Sequence, residues 1–530
     1  MKILVAEPLA QAGVELLQAQ PGWDVVISSP KEYAAHLSDC EALLVRSAVK
    51  VTPEVLAKAP KLRVIGRAGV GVDNVDLPAA TAAGVLVMNT PGGNAISVAE
   101  HTIALMLSMA RSIPQASAST KAGKWEKKKF LGNEVRGKTL GIVGFGSIGR
   151  EVVKRARPFE MRIIAHDPFV NAQAAADLGV ELVGLPELFA QSDYITLHMA
   201  LTPETDRMIG AASFAQMKTG VRIINCARGE LIDGAALTAA MQSKKVAGAA
   251  LDVFETEPPA AADLLLTMEG LIATPHIGGS TEEAQEIVGV RIAEQLVEYL
   301  NNGVALCAVN MPAMSPDQYR TVGPYISLAE RLGNFAAYIA GGHPSLVRLV
   351  YTGRIAEFNT TLLRNAGLAG VLNRSLSQRA NLVNSMGIAV ERGLSVAERH
   401  DNRQGHIDSI RLELETDAGV TAVEGSVVLG KPRLTQVDGI QCEASLAGHM
   451  VFMKNIDVPG VIGHVGGVLG KNNVNIANFS LGRADRPSAE GQPLIAIAVV
   501  ETDEPVSDAV LGQLLENPAV QLAKMVEFPS

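Results

Sequence analysis

The sequence predicts an α/β protein with two doubly wound domains around a cleft, followed by an α+β domain and a small βαββαβ domain. Three observations support this prediction. Short apolar strands alternate with helical segments up to about residue 300, a glycine-rich turn opens the second of two such series, and the last 80 residues follow the order βαββαβ. The composition agrees, because 48% of the 530 residues are hydrophobic and only 19% are charged, which favours buried cores over disorder.

The first series begins at the N-terminus and contains five predicted strands. They lie at 2–7, 23–28, 42–47, 62–69 and 85–90. Apolar strands that alternate with helices are typical of a parallel sheet whose two faces are both covered. A long helix at 96–111 then leaves this unit. We therefore predict a first domain at 1–97, completed by a returning segment at 288–310.

The second series contains six predicted strands. They lie at 138–144, 161–167, 194–199, 221–227, 248–254 and 271–277. Ser280 is predicted to open the helix that follows, because Glu283 stands three residues later as in a capping box, and Gly303 is predicted to end it. This series predicts a second domain at 98–287. Two helical crossings between two such domains would leave a cleft that can bind a ligand.

Charge and cysteine usage exclude several classes of protein. The net charge is −9 and no basic block is longer than Lys127–Lys129, so nucleic-acid binding is not expected. The four cysteines, Cys40, Cys226, Cys307 and Cys442, are scattered without metal-binding or disulfide spacing. The first apolar run is too short for a signal peptide, and no apolar run of about 18 residues is present to span a membrane. We therefore expect a cytoplasmic protein with no metal and no membrane partner.

A glycine fingerprint lies between the strand at 138–144 and a predicted helix. Gly144 permits a tight turn, Gly146 lets a pyrophosphate approach the backbone, and Gly149 lets the helix pack closely on the strand. The amides of Ser147 and Ile148 at the helix N-terminus would donate to the anion. The pattern predicts a Rossmann-like dinucleotide site, with a chance glycine-rich turn as the alternative.

An acidic residue follows the fingerprint at the required offset. Asp167 ends the next strand, where a carboxylate would accept hydrogen bonds from a ribose hydroxyl and repel a 2′-phosphate. The sequence therefore predicts NAD in preference to NADP. His166, its neighbour, is expected at the surface or at the adenosine edge.

Three polar residues follow later strands of the same series. His276 suits proton transfer, since imidazole titrates near neutrality, and Glu257 would orient its ring and favour the imidazolium. Arg228 suits a substrate carboxylate, which guanidinium binds in bidentate fashion, and it could polarise a carbonyl. Each alone could be a loop or structural residue. Together, downstream of a dinucleotide fingerprint, they predict hydride transfer on a 2-hydroxy acid.

The segments around these residues carry a resemblance to a known family. ARGELID, LDVFETEPP and TPHIGGST are similar to the signature segments of the D-2-hydroxyacid dehydrogenases. The resemblance implies that Arg228, Glu257 and His276 are the catalytic set. RAGVGVDNVD, MNTPGGNAISVAEHTIALML and the stretch around the fingerprint are closer still to long-form members that oxidise 3-phospho-D-glycerate with NAD, the entry to L-serine synthesis. Glu230 and the pair Met199–Ala200 depart from the common pattern.

The resemblance also assigns residues to the two ligands. The cofactor contacts that it implies, in addition to the fingerprint and the catalytic residues, are Val70, Met199, Cys226, Ala227, Asp252, Gly278 and Gly279. The substrate contacts that it implies are Arg46, Ser47, Gly69, Val70 and Gly71. Among these, Arg46 is the leading candidate to bind the substrate phosphate. The lysines of Lys127–Lys129 could contribute, although a solvated surface is the simpler interpretation.

The C-terminal part resembles two regulatory modules. An α+β unit at 311–450 begins with a linker at 311–316 and contains predicted strands at 409–416 and 423–430. It is similar to the intervening domain of the long-form enzymes. Lys431 and Arg433 are weak candidates there for an anion site.

The unit at 451–530 resembles an ACT domain, a module that binds small amino acids. The resemblance implies L-serine as an effector, bound by Asn455, Asp457 and Asn475, with ordinary turn chemistry as the alternative for each residue.

Two other functions stay open from the sequence. One is a different D-2-hydroxyacid dehydrogenase that reduces 2-oxoglutarate, and the other is a non-enzymatic NAD-sensing corepressor, since that class shares this fold. The resemblance also implies a homodimer or homotetramer.

Overall fold

The computed structural model describes residues 1–374, 376, 379–401, 407–487 and 492–528. Within these residues the chain forms four β-sheets in sequence order, two of them fully parallel. The four parts of the chain that contain these sheets are called the first to the fourth unit, and β19 (His449–Ile456) crosses the boundary predicted at 450.

The first sheet is parallel and has the strand order β2-β1-β3-β4-β5. Its strands are β1 (Lys2–Val5), β2 (Asp24–Ile27), β3 (Ala42–Val45), β4 (Val64–Arg67) and β5 (Leu86–Met88). Helices α1 (Gln11–Gln18), α2 (Pro53–Ala57) and α3 (Leu77–Ala82) and a 3-10 helix (Tyr33–Asp39) connect them. The central strand β3 is buried along its whole length, which explains why it reads as an uninterrupted apolar run.

The second sheet is parallel with the order β12-β11-β10-β9-β6-β7-β8. Its strands are β6 (Thr139–Val143), β7 (Arg162–His166), β8 (Glu181–Leu182), β9 (Tyr194–Leu197), β10 (Val221–Asn225), β11 (Val246–Leu251) and β12 (Leu271–Ala273). Its helices are α4 (Ala95–Arg111), α5 (Ile113–Lys121), α6 (Ser147–Ala156), α7 (Ala172–Ala176), α8 (Leu185–Gln191), α9 (Ala211–Gln216) and α10 (Gly234–Gln242). The strand order reverses between β6 and β9, and ligands of such sheets bind outside the strand ends at that point.

Two long helices cross between these sheets. Helix α4 leaves the first unit, and α11 (Glu282–Asn302) returns to it, where Ile292 and Leu296 pack into the core of the first sheet. The residue that caps α11 is Thr281, not Ser280 as predicted, because the backbone N–H of Ser280 is held in a turn by the carbonyl of Ile277. The helix ends at Gly303 in the left-handed conformation, as predicted.

The third unit packs three helices against a mixed six-stranded sheet of order β14-β13-β15-β16-β17-β18. Its helices are α12 (Pro316–Ile339), α13 (Thr361–Leu372) and α14 (Ser385–Glu391). Its strands are β13 (Pro344–Thr352), β14 (Ser395–Asp401), β15 (Ser409–Thr416), β16 (Gly419–Val428), β17 (Lys431–Val437) and β18 (Ile440–Ser445). The strand predicted at 423–430 is too long, because Leu429 and Gly430 form the left-handed turn between β16 and β17.

The last unit has the antiparallel order β20-β21-β19-β22, with two helices on one face. Its elements are β19 (His449–Ile456), α15 (Val461–Lys471), β20 (Ile476–Arg483), β21 (Ile495–Thr502), α16 (Asp508–Leu515) and β22 (Val520–Glu527). Its other face shares a core with the third unit, where the rings of Phe335 and Phe452 meet edge to face with centroids 5.7 Å apart. The third unit also contacts the first, since Asn381 Nδ2 donates to the Gly84 carbonyl at 2.7 Å.

No helix in the described ranges is long and apolar enough to cross a membrane.

Candidate active site

Arg228, Glu257 and His276 follow the neighbouring strands β10, β11 and β12 of the second sheet. Because the carboxyl ends of parallel strands share one edge, the fold brings the three residues to one side of the cleft. His276 Nδ1 lies 2.7 Å from Glu257 Oε2. A carboxylate can only accept, so Nδ1 carries the proton and Nε2 is free to take another. Both side chains are partly open to solvent, at 52% for His276 and 38% for Glu257.

The Glu257 carboxylate has a second anchor. Its Oε1 accepts a hydrogen bond from the backbone N–H of Phe254 at 3.1 Å. One oxygen therefore fixes the carboxylate to its own loop while the other holds the imidazole. This arrangement can orient a base and stabilise its protonated form.

Arg228 reaches across the cleft to the first domain. Its Nε donates to Asp73 Oδ2 at 2.8 Å, and one Nη donates to the carbonyl of Ala227 at 2.6 Å. The guanidinium lies against Gly71, where an added Cβ would stand 1.9 Å from Nη2. Gly71 is thus needed for the arginine to approach the backbone of the opposite domain.

His276 has a left-handed backbone with φ of 54°. Such a conformation costs roughly 1–2 kcal/mol in a non-glycine residue. Three successive backbone N–H groups stabilise the turn by donating to Asp252: His276 to its carbonyl at 2.8 Å, Ile277 to Oδ1 at 2.9 Å and Gly278 to Oδ2 at 2.7 Å. Burial alone would raise the pKa of Asp252, but hydrogen bonds from His101, Thr274 and these amides hold the pKa below its ordinary value.

The glycine fingerprint has the geometry of a dinucleotide seat. Gly144 has φ of 95°, and an added Cβ would stand 2.5 Å from the carbonyl oxygen of His198. A Cβ on Gly149 would stand 2.4 Å from the carbonyl of Gly144, whereas one on Gly146 would meet no atom within 4 Å. The backbone at Gly146 is therefore open to the approach of a pyrophosphate, and Ser147 begins α6 directly after it.

Two hydrogen bonds to its carboxylate fix the side chain of Asp167 just past the end of β7. Oδ2 accepts from the N–H of Phe145 at 2.8 Å and Oδ1 from the N–H of Phe169 at 2.9 Å. Both oxygens retain a lone pair for a ribose hydroxyl. His166 points elsewhere, since its Nδ1 lies 3.0 Å from the carbonyl of Val183.

The other predicted cofactor residues lie on several loops. Met199 and Ala227 follow β9 and β10, and burial raises the pKa of the Cys226 thiol to about 12, which leaves it protonated and unreactive. Val70 is fixed through its carbonyl, which accepts from Asn89 Nδ2 at 2.6 Å. Gly279 approaches Asn94 so closely that an added Cβ would stand 2.8 Å from Nδ2.

The loop at 90–94 faces the seat from the first domain, and the sequence reasoning gave it no role. Gly92 lies opposite Ser147, and the Thr90 hydroxyl and the Asn94 amide oxygen are buried without a hydrogen-bond partner. Such unpaired polar atoms are uncommon in a folded protein and are available to a ligand. The sequence signal that could have indicated this loop is the pair Gly92–Gly93 between the end of β5 and the start of α4.

Arg46, the predicted phosphate ligand, follows β3 and is half-buried, with Nη1 3.3 Å from the carbonyl of Pro8. The buried Glu7 carboxylate positions its loop by accepting from the N–H groups of Arg46 and Val49, each at 2.8 Å. Ser47 is exposed on the same loop.

Arg67 was missed by the sequence reasoning. It ends β4 directly beside β3, in register with Val45, and its guanidinium lies against Gly69. Burial, followed by the nearby charges of Arg228 and Arg46, lowers the pKa of Arg67, and its Nε is buried without a partner. The sequence shows only an arginine within a predicted strand, and the structure is needed to place that strand beside the one that precedes Arg46. Three guanidinium groups thus converge on one cleft.

The candidate effector residues do not all meet within one chain. Asn455 and Asp457 line a cavity of 310 Å³ at the start of α15; the Asn455 amide oxygen is buried without a partner, and Asp457 pairs with Arg483 at 2.7 Å. Asn475 lies beyond the other end of α15, about 16 Å along the helix, and donates to Asp503 at 2.7 Å. The chain by itself therefore does not bring Asn475 to the predicted site.

The remaining candidate anion-binding residues lie at the surface and do not form a pocket with other described residues. Lys127–Lys129 form a short exposed 3-10 helix, and Lys431 and Arg433 lie on β17 with Lys431 exposed. The described part of the chain contains no cluster of side chains that could hold a metal ion.

Three family models match the chain in the order of its domains. They are the NAD-binding domain of the D-isomer specific 2-hydroxyacid dehydrogenases at 103–278, the D-3-phosphoglycerate dehydrogenase intervening domain at 321–438 and the ACT domain at 449–519.

Relatives cover the whole length. The chain is 40% identical over 533 residues to the D-3-phosphoglycerate dehydrogenase of Archaeoglobus fulgidus and 36% identical over 531 residues to that of Bacillus subtilis, with 100% of both chains covered in each case.

Solved structures match over the dehydrogenase part. The NAD-dependent formate dehydrogenase of Staphylococcus aureus in complex with NAD is 31% identical with a TM-score of 0.52, over 57% of this chain and 96% of that one. The apo D-lactate dehydrogenase of Escherichia coli is 31% identical with a TM-score of 0.52, over 58% of this chain and 100% of that one. The predicted fold class and the family resemblance are thereby confirmed.

Proposed function

The chain belongs to the D-3-phosphoglycerate dehydrogenases, and from this premise we propose that it oxidises 3-phospho-D-glycerate to 3-phosphohydroxypyruvate with NAD. The observation that carries the proposal is the hydrogen-bonded pair of His276 and Glu257 beside Arg228, at the end of three adjacent strands of an NAD-binding domain. NAD, bound at the glycine fingerprint, would supply the acceptor for the hydride from C2 of the substrate. The residues of the chain then have to bind the substrate, hold its anionic groups and take one proton.

His276 takes that proton. In oxidation, Nε2 accepts the C2 hydroxyl proton as the hydride departs, and Glu257 stabilises the resulting imidazolium through the proton on Nδ1. In the reverse direction, the same imidazolium returns the proton to the new alkoxide.

Arg228 binds the substrate carboxylate. Its partner in the structure is Asp73 of the opposite domain, whose Oδ2 lies 2.8 Å from both Nε and Nη2. A substrate carboxylate offers two acceptor oxygens for a bidentate pair and would take the place of Asp73. The arginine then also lies near the C2 oxygen, where its positive charge stabilises the developing negative charge of reduction.

Arg46 and Arg67 bind the phosphate end. The substrate is a carboxylate and a phosphate joined through a short carbon chain, and it carries about three negative charges near neutral pH. The three guanidinium groups in this cleft, with only the carboxylates of Asp73 and Glu7 beside them among the described residues, leave a net positive charge, which supports a substrate with negative charge at both ends. A monoanionic 2-oxo acid such as pyruvate would leave part of the cluster unpaired.

We further propose that L-serine is an effector that binds in the 310 Å³ cavity of the last unit. The unpaired amide oxygen of Asn455 can accept from an ammonium group, and Asp457 adds a carboxylate beside it. Because Asn475 is remote within one chain, its contribution to the same site requires a second copy. A homodimer or homotetramer, as the resemblance implies, would supply that copy.

The test compares substrates in the direction of NADH oxidation. The purified protein is assayed with 3-phosphohydroxypyruvate, 2-oxoglutarate and pyruvate, each with and without L-serine. The highest kcat/KM is expected with 3-phosphohydroxypyruvate, with inhibition by serine. A strong preference for pyruvate would overturn the proposed substrate, and a preference for 2-oxoglutarate would select the other dehydrogenase function. Asp457→Ala should remove inhibition and keep turnover.

A further inference from the structure

A histidine outside the predicted catalytic set closes the hydrogen-bond shell around Asp252. His101 lies on helix α4, its side chain is 18% exposed, and its Nε2 lies 3.1 Å from Thr274 Oγ1 and 3.3 Å from Asp252 Oδ1. The Asp252 side chain is 1% exposed. The sequence reasoning assigned no role to His101 or to Thr274.

The proton order in this group follows from donor and acceptor chemistry. Thr274 Oγ1 donates to Asp252 Oδ1 at 2.5 Å, and this uses the single hydroxyl proton. Nε2 of His101 must therefore carry a proton and donate to the threonine and the carboxylate. His101 thus donates to Thr274 and Asp252, Thr274 donates to Asp252, and the backbone N–H groups of residues 276–278 also donate to Asp252.

We propose that His101 is a positioning residue, which acts through Thr274 and Asp252 to hold the left-handed turn of His276 in its reactive orientation. The inference rests on the proposed function, since it needs His276 to be the base. This role explains why a histidine stands in the middle of α4. Its Nε2–H donates to Thr274 and Asp252, and the backbone N–H groups of the helix cannot do so because they bond within the helix. Without it, one acceptor site of Asp252 and one lone pair of Thr274 would be unpaired in a buried place.

The same helix makes a second contact to this loop. Ser97 Oγ lies 2.7 Å from Thr281 Oγ1, and Thr281 caps the returning helix α11. Both ends of the segment 274–281 are thus fastened to α4, which is one of the two crossings between the domains. A change in α4 would therefore reach the catalytic turn directly.

The test uses variants of the full-length protein that separate the loss of the hydrogen-bond donor at position 101 from a change in side-chain size. His101→Leu removes the donor, while His101→Gln keeps an N–H group near the position of Nε2. We expect His101→Leu to lower kcat by about 30-fold with KM for substrate changed less than about threefold, and His101→Gln to keep at least about a third of kcat. Thr274→Val should lower kcat similarly, and the double variant should lose less than the product of the two single losses. Glu100→Gln, on the same helix with an exposed side chain that pairs with Arg155, is the matched control.

The outcomes separate the proposal from its alternatives. Equal losses for His101→Leu and His101→Gln, a loss that only follows a lower Tm, or independent effects of His101 and Thr274 would each overturn it. If His101→Leu does not fold, the contrast between Thr274→Val and His101→Gln decides the same point. The variants are assayed with whichever 2-oxo acid the unmodified protein reduces best, so a wrong substrate assignment leaves the result on His101 interpretable.

Discussion

Gly229→Ala is expected to inactivate the protein without removing any functional side chain. Gly229 follows Arg228, and a Cβ there would stand 1.9 Å from the carbonyl carbon of Phe254 and 2.4 Å from the backbone nitrogen of Glu255. Since ordinary contact begins near 3.4 Å, one of the two loops has to move by about 1.5 Å. The 254–257 loop carries Glu257, whose carboxylate is only 2.7 Å from His276.

A displacement of that size breaks the pair. A misplacement of about 1 Å in a catalytic group costs on the order of 100-fold in rate, so kcat of Gly229→Ala should fall at least that far while NADH binding is retained. The assay is steady-state turnover with 3-phosphohydroxypyruvate, together with a fluorescence titration of NADH. The matched control is Gly234→Ala. Gly229 and Gly234 line one cavity of about 320 Å³, and an added Cβ on Gly234 meets no atom within 4 Å.

Gly234 begins helix α10, so alanine there should preserve activity and slightly raise stability. The reasoning would be refuted if folded Gly229→Ala kept kcat within about threefold of the unmodified protein. It would also be refuted if both alanine variants lost activity alike.

Three further outcomes are expected. His276→Ala should abolish turnover in stopped assays and spare NADH binding by fluorescence; near-normal turnover would remove it as the base. Arg46→Ala and Arg67→Met should each lower kcat/KM for 3-phosphoglycerate by about 10-fold or more with NAD affinity kept, and an unchanged value would remove that arginine from the site. Burial lowers the pKa of His198 to about 3, so the unfolded chain takes up a proton below about pH 6.5 that the folded protein refuses. The unfolding free energy should therefore fall by about 2 kcal/mol from pH 7 to pH 5, and His198→Asn should lack this part of the slope in denaturant titrations.

The surroundings of His198 favour its neutral ring in the folded protein. Part of the residue reaches the surface, but Nδ1 is buried without a partner and Nε2 lies 2.9 Å from the Thr196 hydroxyl. The neutral ring is therefore the folded form. Its stabilising effect is complete above the pKa of the unfolded chain and is lost as pH falls towards the folded value.

The sequence predicted those parts of the site that depend on strand ends. Arg228, Glu257 and His276 could be grouped in advance, because each follows an apolar run and parallel strands share an edge. Arg67 could not be singled out, since its importance comes from β3 and β4 lying side by side, which register alone reveals. The two-residue strand β8 was also missed, because so short an edge strand carries no period.

Contacts between distant residues account for the remaining differences. Asp252 could be assigned to the cofactor by resemblance, but its hold on the 276–278 turn spans some 25 residues and has no sequence pattern. The cap of α11 was placed one residue early, because Ser280 and Thr281 both have hydroxyls and only the turn from Ile277 decides between them. Asn475 was grouped with Asn455 by motif, yet the length of α15 separates them.

The core shared by the third and fourth units has a consequence for how regulation is dissected. Phe452, Ile497 and Val526 of the last sheet are buried against α12 and its neighbours, and Arg331 donates from α12 to the carbonyl of Leu446. Deleting the chain from β19 onwards would expose the hydrophobic surface of the third unit to solvent, and the shortened protein would tend to aggregate. A loss of activity after such a deletion would then result from aggregation and would not show that the last unit regulates the enzyme. Single substitutions in the 310 Å³ cavity of the last unit leave the shared core intact and therefore test regulation more directly.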